Sequence, residues 1–225
     1  MIPLARMRGR GGRRKLPELE FLGSAQDTAN RTTYEFLAQP FGDAAADREI
    51  ICIVHSETTI DGRVFSSATI GGIGADLVVE IEGSGWAHQH VAIFSVNVQA
   101  GASGTISVTF TGEKADCGLE IYRMVDHTDR IAADTAVDDD AATTIWSGVL
   151  NIPQGAVALA GVMARNTNTY TFAGLVEDND AAIEAAARHG SASAQELTAD
   201  PALTVSATKD AGGSTQGVFA AATWR

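Results

Sequence analysis

The sequence predicts an all-β chain, an antiparallel β-sandwich of jelly-roll or immunoglobulin-like type, preceded by an extended N-terminal arm. Three observations predict it. Apolar residues recur at every second position over many short segments, which puts them on one face of a pleated strand. Turn residues separate these segments every 8–12 residues or so, roughly the spacing of a sandwich. The composition, 45% hydrophobic but only 20% charged, with abundant Ala, Gly, Ser and Thr, suits thin sheets faced by small side chains.

The chain divides into an arm at 1–19 and a single sandwich domain at 20–225. In the arm, Arg6, Arg8, Arg10, Arg13, Arg14 and Lys15 are interrupted by Gly9, Gly11 and Gly12 and bracketed by Pro3 and Pro17. Such a segment cannot bury enough apolar surface to fold alone. The body opens near Leu19–Gly23. Arg31–Ala38 is a predicted strand, and Arg48–Ser56 is apolar on both faces, with Ile50, Cys52 and Val54 on one and Ile51 and Ile53 on the other. That marks a central strand, or one with a face covered by a partner. Asp61-Gly62 is a turn, Val64–Ile70 a Ser/Thr-rich strand, Gly71–Gly74 a loop, and Ala75–Glu82 another strand.

The stretch Gln89–Val125 reads as a β-meander of three consecutive alternating segments, His90–Val98, Thr105–Thr111 and Cys117–Val125. An acidic loop follows, with Asp126, Asp129, Asp134, Asp138, Asp139 and Asp140. Thr144–Asn151, the small-residue strand Ala156–Arg165 and Thr169–Val176 resume the pattern. Asp178-Asn179-Asp180 then caps a short Ala-rich helix ending at Gly190. Thr198–Thr208 and Gln216–Trp224 close the sheet, for about a dozen strands in all. No internal repeat is evident.

Charge is unevenly placed. Residues 1–15 carry six basic side chains and no acid, which leaves ten basic against 28 acidic residues in the rest. A cationic arm on an anionic body is an interaction pattern, and the body's sign speaks against sequence-specific nucleic-acid binding. Cys52 and Cys117 lie within strands without metal-type spacing, so both read as buried free thiols. No run reaches the ~18 apolar residues of a membrane span. The basic N-terminus lacks the apolar run of a secretory signal, so the expectation is a protein made in a cytoplasm.

Chemistry-bearing residues are sparse. His88 and His90 share a strand face and could begin a zinc site only if a third ligand came from elsewhere; without one they read as a solvated pair. His55, His127 and His189 fall at segment ends, which suggests surface roles. The acidic loop lacks the spacing of a calcium loop, though its charge fits a neighbour's basic arm. Gly71–Gly74 and Gly83–Gly85 lack the Lys-Ser/Thr of a phosphate loop and read as turns. Glu80 and Glu82 share a face, as glycosidase carboxylates do, but so does the wet side of an edge strand. Trp86, Trp146 and Trp224 would be core residues in a sandwich and a stacking platform if exposed together. No cofactor or metal is expected.

One ordered set of segments carries a resemblance. It runs from Asp47–Val54 (DREIICIV) through Ala68–Ala75 (ATIGGIGA), the strand to Val98, Gly104–Gly112 (GTISVTFTG) and Cys117–Val125 to Pro153–Ala164 (PQGAVALAGVMA) and Gly174–Asp180. This order resembles small β-sandwich virion structural proteins of tailed bacteriophages and prophages, over residues 20–225. The resemblance implies a non-enzymatic particle component, such as a capsid decoration, spike, collar or tail-associated subunit, assembled in the host cytoplasm. It supplies no functional residues. The arm lies outside it and is the expected attachment point to other virion proteins, with flat small-residue strands packing between copies in a homo-oligomer. The competing reading is a receptor- or carbohydrate-binding module on a particle surface.

Overall fold

In a computed structural model, which describes residues 15–84, 87–139, 143–165, 167–184 and 186–225, every regular element is a β-strand. The first half contributes β1 (Glu18–Asp27), β2 (Arg31–Pro40), β3 (Glu49–Thr58), β4 (Phe65–Ile70), β5 (Ile73–Gly74), β6 (Asp76–Glu82), β7 (His88–Asn97), β8 (Ser103–Lys114) and β9 (Cys117–Val125). The second contributes β10 (Asp134–Asp138), β11 (Ile145–Ile152), β12 (Ala156–Ala164), β13 (Tyr170–Ala173), β14 (Val176–Ala182), β15 (Arg188–Leu197), β16 (Asp200–Lys209) and β17 (Gly217–Trp224). All pairings between them are antiparallel.

The strands form four sheets, ordered β2-β8-β4-β5, β1-β9-β3-β7-β6, β10-β17-β12-β15-β14 and β11-β16-β13. Three apolar cores lie between them and stack the sheets in that sequence. Cys52, Phe94, Val108, Phe110 and Ile121 fill the first, between the β8 and β3 sheets. Ile51, Ile53, Val91, Leu159, Val218 and Trp224 fill the second, between the two five-stranded sheets. Trp146, Ala158, Val162, Val205 and Phe219 fill the third.

This four-layer stack contains a duplication that the sequence does not display. Matching β1, β2, β3, β4, β6, β7, β8 and β9 to β10, β11, β12, β13, β14, β15, β16 and β17 reproduces the strand order of both sheets. Among the described strands, only β5 lacks a counterpart. The chain is thus two topologically equivalent sandwiches joined through their five-stranded sheets. Side chains diverge under a conserved strand order because the order depends on which strands pair, not on which residues fill the core.

The stacking accounts for β3, whose ten residues are all buried. Its β-branched Ile50, Ile51, Ile53 and Val54 suit a pleated strand, and burial of each such side chain stabilises the fold by about 1.5–3 kcal/mol. One face meets the first core and the other is covered by the second sandwich. β12 and β17 are likewise buried throughout. The small-residue strand β12 therefore packs within the chain, and the expectation that it forms a face between copies is overturned.

Two further expectations are corrected. The segments β7, β8 and β9 are not a meander: β7 pairs with β3 and β6, β8 with β2 and β4, and β9 with β1 and β3. Alternation fixes which side chains share a face, but not which strand lies alongside, and here the chain crosses to the opposite sheet and back. The predicted helix from Asp178 to Gly190 is instead β14 and the start of β15, paired from Val176↔Ser193 to Ala182↔Arg188. Alanine propensity gives way to the sheet, where small side chains allow close approach. The acidic segment is also more than a loop. Asp134 and Asp138 lie in β10, and their carboxylates accept the amides of Asn151 and Ser147 on β11. Asp140 lies outside the described residues.

Gly71 and Gly72 close the β4–β5 hairpin with φ of 60° and 79° between the paired Ile70 and Ile73. Two successive positive φ values define the tight turn that matches strand twist, so this glycine pair is a turn. Cys52 and Cys117 are buried and free.

Candidate functional site

The most concentrated buried chemistry lies in the seam between the two five-stranded sheets. On β3, the alternation that buries Ile51 and Ile53 in the seam carries His55 to the same face. On β9 the same rule brings Gly118, Glu120 and Tyr122 there, and on β15 it brings His189 and Ser191. Glu120 sits between the two imidazoles: His55 Nε2 is 2.6 Å from Oε2 and His189 Nδ1 is 2.6 Å from Oε1. Asn179 Nδ2 donates to Oε1 at 2.9 Å. The two rings stand 4.9 Å apart, centroid to centroid. His55 and Glu120 are fully buried and His189 is 1% exposed.

Two glycines make the room. A Cβ on Gly118 would lie 3.0 Å from the His189 ring, and one on Gly161 would lie 3.0 Å from His55 and 2.5 Å from Ile53. Beyond the cluster, the Tyr122 hydroxyl lies 3.0 Å from Asp178 Oδ2 and 2.8 Å from Ser191 Oγ. With one proton, it donates to the carboxylate and accepts from the serine.

Burial alone would raise the Glu120 pKa, but the facing His55 and His189 and their hydrogen bonds outweigh it and hold the carboxyl well below its usual range. Burial lowers the His55 pKa against the attraction of Glu120. The cluster is thus an ionised carboxylate between two imidazoles in a dry seam, a donor set of two nitrogens and one oxygen.

The expectation that His55 and His189 serve at the surface is overturned: both are interior because the second sandwich covers the first. A signal was present in the sequence. His55 continues the Ile51, Ile53 alternation, and Glu120 stands between Leu119 and Ile121 inside a strand. His90 is also buried, against the reading of a solvated pair, and its Nε2 lies 3.2 Å from Glu80 Oε2. His88 is half-buried, near Asp61 and Glu82 at the sheet end. Glu80 and Glu82 lie on β6, an edge strand of its sheet. Trp146 and Trp224 are buried in separate cores; Trp86 lies outside the described residues. So do Arg6, Arg8, Arg10, Arg13 and Arg14 of the arm. Lys15 is described, and its Nζ pairs with Asp126 of the same chain at 3.0 Å.

A second polar concentration stands at one end of the stack, in a cleft of about 340 Å³ that includes Glu57, Arg63, Lys114 and Arg165 among its lining. Glu57, Asp116 and Glu184 approach one another there. Burial, with Glu57 adding to it, pushes the Asp116 carboxyl up to about 8. Burial pulls the neighbouring Lys114 amine down to about 8. The folded Asp116 keeps its proton where the unfolded one, near 3.8, releases it. Its contribution to stability is therefore full below about pH 4 and is lost as pH rises towards 8. Asp116→Asn keeps an oxygen to accept the Glu57 amide and removes the titration. Denaturant melts from pH 4 to 9 should show the variant matching wild type near pH 4 and gaining on it above. The gain is at most about 1.4 kcal/mol per pH unit. Parallel curves for the two proteins would show that Asp116 ionises normally.

No protein-family model matches the chain, and no curated protein matches it. Among solved structures, that of the PBSX exported protein XepA aligns over 92% of this chain and 86% of its own, at 12% identity and a TM-score of 0.23. XepA is thus a weak structural neighbour.

Proposed function

We propose that the chain is a non-enzymatic structural component of a phage particle, a capsid decoration, spike, collar or tail-associated subunit, joined to other virion proteins through its basic N-terminal arm. The observation that carries this reading is where the most concentrated polar chemistry lies. The His55–Glu120–His189 cluster is sealed between two sheets, out of reach of a substrate. What the four layers offer instead is a rigid body held by three cores. The virion-like order of segments supports the same reading, since those segments become the strands of that body.

The charge pattern supports the role given to the arm. Lys15, its last cation, rests on Asp126 of the acidic connection after β9. An equivalent acidic surface on a neighbouring subunit would attract the five arginines in the same way. The arm orders when it docks, its lost conformational entropy offset by charge-assisted hydrogen bonds.

Deleting residues 1–15 tests this. The truncated protein should melt within a degree or two of the full chain, yet its copurification with assembled particles should fall at least ten-fold. Incorporation at the wild-type level would remove the arm from the account, and a particle-free protein in lysogen or phage preparations would remove the virion role itself.

A further inference from the structure

We propose that His55, Glu120 and His189 bind a divalent transition-metal ion of the zinc class, which pins one sandwich to the other. Each residue offers one ligand atom, and these atoms lie within 4.8 Å of one another. Two imidazoles and a carboxylate suit zinc and its neighbours. They do not suit calcium, which asks for six or more oxygens.

The three side chains come from β3, β9 and β15, two of them from one sandwich and one from the other, so an ion shared among them crosses the seam. All three strands lie inside five-stranded sheets, which gives the site a stiff frame. His55 Nδ1 and His189 Nε2 have no hydrogen-bond partner despite their burial, while His55 Nε2 and Glu120 Oε2 meet each other at 2.6 Å. An ion among the facing His55 Nε2, His189 Nδ1 and Glu120 carboxylate would take the place of their two 2.6 Å contacts. Asn179 Nδ2, held on Glu120 Oε1, orients the carboxylate as outer partners of metal ligands commonly do. Gly118 and Gly161 give the two rings their room, since a side chain at either position would press on them. Three protein ligands leave one position for a water molecule. Because the seam is closed, the ion would enter as the sandwiches dock during folding and would act structurally.

The test uses the full chain, unfolded in guanidinium with chelator and refolded with or without equimolar zinc or cobalt, then desalted. Mass spectrometry of metal content should give about one equivalent in the metal-refolded protein, with a higher thermal midpoint than the chelated sample. The cobalt form should show visible absorption of a low-coordinate site. Glu120→Gln, which keeps size and hydrogen-bonding capacity, should cut metal content at least ten-fold. His189→Gln should do the same, and the wild-type measurement stands even if either variant fails to fold. A wild-type chain that refolds with less than a tenth of an equivalent of either metal, and melts identically with and without it, overturns the proposal. The three residues would then be a hydrogen-bonded triad only.

Discussion

Replacing Arg48 with methionine should destabilise the chain by about 3 kcal/mol or more, the largest single loss expected among the described side chains outside the seam. Arg48 is fully buried, and four of the five N–H groups of its guanidinium donate to backbone carbonyls. Nε donates to Val98 O at 2.6 Å, Nη1 to Gly42 O at 2.9 Å, and Nη2 to Ala100 O at 2.9 Å and Gly101 O at 2.8 Å. These carbonyls belong to the two connections that bring the chain into β3 and carry it from β7 to β8. Methionine fills much of the volume but satisfies none of them. Part of the cost is regained where water reaches the outer carbonyls, which is why the sum of four bonds is not the expected figure. Urea unfolding of wild type and variant measures it. A shift below about 1 kcal/mol would mean that the turn at 98–101 holds itself and the arginine is a passenger.

The second large effect is expected at Gly161. A valine there places its Cβ 2.5 Å from Ile53 Cγ2, 3.0 Å from His55 Cε1 and 3.3 Å from Val91 Cγ1. All three neighbours stand on strands held by pairing on both sides, so none can move far. Overpacking of this kind costs about 1–3 kcal/mol in a single core. At Gly161 the displaced atoms also form the contact between sandwiches, so the upper end of that range is expected. Gly213→Ala is the matched control, since nothing lies within 4 Å of the added carbon, and it should leave the midpoint unchanged within about 0.5 kcal/mol. A broadened or two-step transition in Gly161→Val would show the halves separating before they unfold. A wild-type curve would show that the seam yields.

The strands were legible in the sequence because a period of two survives almost any choice of apolar residue. Val64–Ile70, Ala75–Glu82 and Cys117–Val125 could be read within a residue or two of β4, β6 and β9. Partnership was not legible. Nothing in the alternation of Thr105–Thr111 says that this segment leaves the sheet of its neighbours for the opposite one. The duplication was hidden for a related reason: β3 and β12 hold equivalent places with Ile-Ile-Cys-Ile-Val in one and Ala-Val-Ala-Leu-Ala in the other. The seam cluster needs β3, β9 and β15 together, three strands separated by many tens of residues. His189 was further concealed by an alanine-rich neighbourhood that favours helix locally and is overruled by the sheet.

The flanks of the two five-stranded sheets carry a consequence for crowding. Their outermost strands are β1, β6, β10 and β14, and every one bears carboxylates: Glu18 and Glu20, Asp76 and Glu80, Asp134 and Asp138, Glu177 and Asp180. Open rims of sheets are templates on which a second molecule can zip up. Like charges along all four rims oppose that at neutral pH, so many copies can be held side by side without fusing into fibrils. Acidification towards the isoelectric point of about 4.7 strips this protection, and turbidity at high concentration should rise there first.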